Sequence, residues 1–75
     1  MSGVIIYEVR PRADRRGFDL ISEALPFGKL WYDNAESAAG YAEFYSRSKD
    51  IEIHIFNEGR ELTETRKHAG DFREP

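Results

Sequence analysis

An α+β fold is predicted for this chain, in the order ββαββ: a small antiparallel sheet with one helix packed across one face. Three observations predict it. Segments 4–10 and 17–22 are rich in β-branched and aromatic residues and are separated by a short turn-forming stretch. Residues 35–48 are rich in alanine, with apolar positions at helical spacing. Segments 51–56 and 61–66 then flank the turn Asn57-Glu58-Gly59-Arg60, the first of them in strict apolar–polar alternation.

The first strand, Val4-Ile5-Ile6-Tyr7-Glu8-Val9-Arg10, places Glu8 and Arg10 on one face, so Ile5, Tyr7 and Val9 are expected to face the core. Pro11 is expected to stop the ladder, having no N–H to donate. In the second strand Phe18 and Leu20 point inward, leaving Asp19 and Ile21 outward. Residues 23–32 are broken by Pro26 and Gly28 yet strongly apolar, and read as a packed loop ending in a short strand over 29–32. Asp33 or Asn34 caps the helix; with Asp33 at the cap, Glu36 occupies the third helical position and resembles a capping box. Ala35, Ala38, Ala39, Ala42, Tyr41 and Tyr45 form the inward stripe, whereas Gly40 lies on the wet side. Ile51, Ile53 and Ile55 face the helix, Gly59 is expected to take positive φ in the turn, and the polar final strand suits a sheet edge. Phe72, in an otherwise polar tail, is expected to tuck back onto the fold. The expected core comprises Ile5, Tyr7, Val9, Phe18, Leu20, Ala38, Ala42, Tyr45, Ile51, Ile53 and Ile55.

The chain reads as one domain, 1–75, and its size limits it. A domain of this length buries only roughly 60% of the surface its unfolded chain exposes. It has no cysteine, so neither a disulfide nor a thiolate metal site supplements the core. Five Phe, four Tyr and one Trp supply much of the core volume. Charge is dense but nearly balanced, with 11 Lys and Arg against 14 Asp and Glu and a net charge of −3. That balance lacks the overall basic footprint of a nucleic-acid binder. The N-terminal stretch has no basic region ahead of its short apolar run, and no segment approaches membrane-spanning length, so a cytoplasmic protein is expected.

The order of elements, the run Ile53-His54-Ile55 leading to Glu58-Gly59, the acid-capped alanine-rich helix and the closing Gly70-Asp71 resemble a family of small bacterial domains of unknown function, numbered 2188. The chain has Glu58 where such domains tend to have Asp before the turn glycine, one extra residue before Leu62, and a longer insertion around residues 25–31. The resemblance implies the ββαββ layout and carries over no activity, cofactor or site residue.

Chemistry-bearing patterns are few. Arg10, Arg12, Arg15 and Arg16 crowd the first turn, opposed locally by Asp14; they read either as an anion-binding clamp, centred on Arg12, Arg15 and Arg16, or as a solvated turn. His54 and His68, with Asp71 and Glu74 in the tail, do not supply the three or four convergent ligands a metal needs. The serines lie in no nucleophile-elbow context and the glycines are isolated, so no enzymatic activity, cofactor or metal is expected. The outward sheet face is more informative. Val4, Ile6, Ile21 and Phe56 form an apolar centre ringed by Glu8, Arg10, Asp19, Glu52 and His54. Either this face docks a protein partner or a second copy of the chain, or segment 25–32 folds over it with Phe27 or Trp31 as its lid. Phe44 is a second exposed candidate. A protein-interaction or self-association module is therefore expected, a homodimer among its forms; the alternative is weak nucleic-acid binding through the basic first hairpin.

Overall fold

The computed structural model describes residues 3–26 and 28–70, so Phe27, Asp71, Phe72 and Glu74 lie outside the described residues. Its elements are β1 (Ile5–Pro11), β2 (Phe18–Ile21), β3 (Lys29–Tyr32), α1 (Ala35–Tyr45), β4 (Ile51–Phe56) and β5 (Leu62–His68). One helix lies on one face of a five-stranded sheet of order β3-β2-β1-β4-β5.

The sheet is mixed, which corrects the antiparallel expectation. β1 and β4 run parallel, with Tyr7 opposite Ile53, whereas β1–β2, β2–β3 and β4–β5 are antiparallel. The cause is the third strand. Two tight reversals make β3 run in the direction of β1, and α1 then carries the chain back to the end where it began. The next strand must repeat that direction, as in any strand–helix–strand crossover. β4 takes the free edge of β1, so the two longest apolar strands occupy the sheet centre.

Tyr7, Val9, Leu20, Ile51 and Ile53 are fully buried, joined by Ile55, Leu25 and Ala38, Ala39 and Ala42 of α1. Ile5, Phe18, Leu30, Tyr32, Ala35 and Tyr41 pack partly buried around them. The strand phases are those expected from alternation. Tyr45 is not core: it is 42% exposed, because the helix ends there rather than at residue 48, and its ring stacks on Tyr41 at 5.6 Å. Ser46 ends the helix and is itself buried, its Oγ within 2.6 Å of the Tyr7 hydroxyl. At the other end Asn34, not Asp33, is the cap; its Oδ1 accepts from the Ser37 amide at 2.7 Å, so the expected Asp33–Glu36 box does not form. Glu36 turns instead to Arg66 of β5, whose guanidinium donates to both carboxylate oxygens and to Glu64. That cation holds the Glu36 carboxyl below its ordinary range.

Three turn details also differ. Pro11 is the last paired residue of β1, opposite Phe18, where its missing N–H costs nothing; the Arg12 amide takes the next bond, to the Gly17 carbonyl. In the second turn positive φ falls on Arg60, at 66°, not on Gly59. β5 begins at Leu62 beyond an irregularity at Ile55/Phe56 and extends to His68, two residues past the expected end. Its far end is pinned to the α1–β4 connection: the Gly70 amide donates to Asp50 Oδ1 at 2.8 Å, and a Cβ on Gly70 would meet the Ser48 carbonyl at 2.8 Å.

Candidate functional site

The helix covers one face of the sheet; the other is the candidate site. Alternation on β1 delivers Ile6, Glu8 and Arg10 to it, β2 delivers Asp19 and Ile21, β3 Trp31, and β4 Glu52, His54 and Phe56. None of the described residues of segment 25–32 covers this face, contrary to the expectation of Trp31 as a lid; the Phe27 alternative lies outside the described residues. Leu25 is buried in the core, and residues 29–32 form the edge strand β3 beside β2. Trp31 lies on the open side at that edge, 49% exposed, with its indole Nε1–H donating to the Arg16 carbonyl at 2.8 Å. The indole rests against Gly17, whose φ of 121° and lack of a side chain make room for it. Trp31 is thus a strut under the first turn. Among the described residues Val4 remains 49% exposed and Ile6 41%, while Ile21 and Phe56 are half-buried.

The face has two unlike ends. At the start of β1, Val4, Ile6, Ile21 and Ala24 line a shallow groove of about 660 Å³ with Glu8 and Glu23 on its border. Glu52 stands opposite Ile6 on β4. At the far end of β1 lies a cavity of about 430 Å³, lined by Arg10, Arg12, Arg15 and Arg60 together with Asp19 and Glu58, over Ile21 and Phe56. The parallel pairing of β1 and β4 creates it. Both strands end at the same edge of the molecule, so the turns that follow them face each other.

Most charges in this far end are tethered. Arg10 donates to Glu8 at 2.8 Å while its guanidinium lies 4.0 Å from the Phe56 ring centroid, a cation–π contact that shields part of the ring. Arg12 donates to Asp19 at 3.0 Å and more weakly to Asp14, and the Asp19 bond raises its already high pKa. Arg15 reaches Glu58 across the two turns at 3.8 Å, a loose contact with both side chains mostly exposed. Arg16 and Arg60 make no ion pair among the described residues. Arg16 does not line the cavity; its backbone braces Asp14 and Trp31. Arg60, which does line it, was missed in the sequence. The available signal was symmetry: each turn carries an arginine next to its glycine, Arg16-Gly17 and Gly59-Arg60.

His54 bonds to Glu52 at 3.1 Å and sits opposite Glu8 and Thr65 on the open face, while His68 pairs with the buried Ile51 on the helix side, its Nε2 3.3 Å from the Arg47 carbonyl. The structure therefore does not bring the two histidines together. Among the described residues no three metal-ligating side chains converge. Phe44 is 64% exposed on the helix, with the Arg47 guanidinium 5.4 Å from its ring centroid, away from the open sheet face. Among the described residues no helix is long and apolar enough to cross a membrane. No family model, curated protein or solved structure matches the chain.

Proposed function

We propose that the domain is a protein-interaction module that works by self-association through its open sheet face. The carrying observation is the exposure of Val4 and Ile6 beside Ile21 on a face that no described segment covers. A chain this short has little apolar surface to spare, and contiguous exposed apolar groups of this kind mark contact surfaces. Charge favours a second copy as the occupant. A two-fold axis perpendicular to the strands lays one β1 antiparallel over the other. The arginine-rich end of one copy then meets Glu23 and Glu52, at the apolar end of its partner. Glu8, Asp19 and Glu52 on the same face favour a protein over a nucleic-acid backbone as the ligand. Membership of the 2188 family and a cytoplasmic location belong to this same reading.

The test is the solution mass by light scattering, with Ile6→Glu as the variant. The wild type is expected to be a dimer and Ile6→Glu a folded monomer, because the new charge is unpaired in the contact but solvated outside it. A wild type that stays monomeric at high concentration overturns the proposal.

A further inference from the structure

We propose that the cleft between the two turns, formed by Arg10, Arg12, Arg15 and Arg60, is a binding site for the phosphate of a small phosphomonoester. Four guanidinium groups line this cleft on a chain whose net charge is −3; Arg10, Arg12 and Arg15 are paired with Glu8, Asp14, Asp19 and Glu58, which leaves Arg60 without an ion pair among the described residues. Guanidinium forks match the oxygens of a phosphate better than any other side chain, and a phosphate offers Arg60 a partner and Arg15 a closer one. Arg10 and Arg12 are held in place by Glu8 and Asp19, so part of the site is organised before a ligand arrives. Arg15, tied only at 3.8 Å, and Arg60, with no ion pair among the described residues, are the arms free to close on it.

The backbone supports the assignment. Arg15 and Arg60 are the only described non-glycine residues with positive φ, at 60° and 66°. A side chain in this region is unfavourable, and glycine would fill each place more cheaply. Two such positions carrying the same residue, one in each turn, on the two walls of one cavity, indicate that the guanidinium is what is wanted there. The volume of about 430 Å³ suits a small molecule. Its floor of Ile21 and Phe56 suits an apolar or aromatic body attached to the phosphate.

The experiment is a proton–nitrogen NMR titration of the full chain at constant ionic strength. Phenyl phosphate, inorganic phosphate and benzoate are the three probes. Saturable shifts are expected in turns 12–17 and 57–60, strongest with phenyl phosphate, weaker with inorganic phosphate and weakest with benzoate. Arg15→Gly combined with Arg60→Gly should weaken phenyl phosphate binding by at least about tenfold, the worth of one lost charge-assisted contact, while keeping a dispersed spectrum. Should that pair not fold, Arg60→Gln alone is the variant and the same loss is expected. The assignment fails if the shifts do not saturate, if they spread equally to Lys29, Arg47 and Lys67, or if the variant binds as well as the wild type. Ile6→Glu, in which no partner's Glu23 or Glu52 meets the arginines, is expected to bind phenyl phosphate at least as tightly as the wild type, so the titration reports on the site and the solution mass on the self-association.

Discussion

The contact between Tyr7 and Ser46 shows how one side chain ties the sheet to the helix. Tyr7 lies in the central strand with no exposed surface, and its hydroxyl has one partner, Ser46 Oγ, at the helix end. Replacing Tyr7 by Phe leaves the buried serine hydroxyl without that partner, which costs about 1–3 kcal/mol. Adding Ser46→Ala is expected to recover part of the loss, and urea denaturation of the four proteins in a double-mutant cycle measures it. Burial also raises the Tyr7 phenol above its ordinary value of 10.0, more than the serine bond lowers it. The unfolded chain therefore gives up this proton first. The stability it contributes is complete below pH 10.0 and is lost as the pH climbs toward the folded value; Tyr7→Phe should lack that loss. A Tyr7→Phe protein as stable as the wild type would show the hydroxyl pair to be idle. The inward direction of Tyr7 was legible in the alternation of β1, but its partner was not, because Ser46 is 39 positions away and lay inside what read as helix.

At the scale of elements, α1 approaches the sheet closely because its buried positions are Ala38, Ala39 and Ala42. Its opposite side carries Gly40, which is exposed, and a Cβ there would meet nothing within 4 Å. Gly40→Ala is therefore expected to stabilise the domain by about 0.5–1 kcal/mol through backbone entropy alone. In a domain of this size that corresponds to a melting temperature higher by several degrees, measurable by calorimetry. A lower melting temperature would mean that Gly40 serves a contact the monomer does not show. The polar β5 is an element of another kind. It escapes the helix except through Arg66 and Glu36, an exposed pair of modest worth, and relies on its ladder to β4 and the Gly70–Asp50 clasp.

The whole molecule depends on a thin core in which Ile53 sits fully buried at the crossing of β1, β4 and β5. Ile53→Ala is expected to cost about 2–5 kcal/mol, against a total of about 5–15 kcal/mol for domains in general. Denaturant titration reads it directly, and a change within error would contradict the packing described. The same thinness makes the exposed Val4 and Ile6 informative, since a second copy would add the apolar cover that one helix cannot extend to both faces.

By itself, the sequence determined the phase of each strand and the inward face of the helix. Period-two alternation in Ile51, Ile53 and Ile55 and in Tyr7 and Val9 admits one buried face, and the alanines admit one close-packed stripe. It also determined that an apolar cluster and a group of arginines exist. Tertiary structure alone decided how they are arranged. Whether β1 pairs parallel or antiparallel with β4 is invisible locally, because both ladders use the same backbone groups and the same side-chain alternation. Only the extra strand β3 and the crossover through α1 set that direction. The direction in turn brought the first and last turns together, placed Arg60 across from Arg15, and left Trp31 at the edge rather than over the open face. Contacts between residues far apart in the chain follow from the path of the backbone, and that path is a property of all the elements at once.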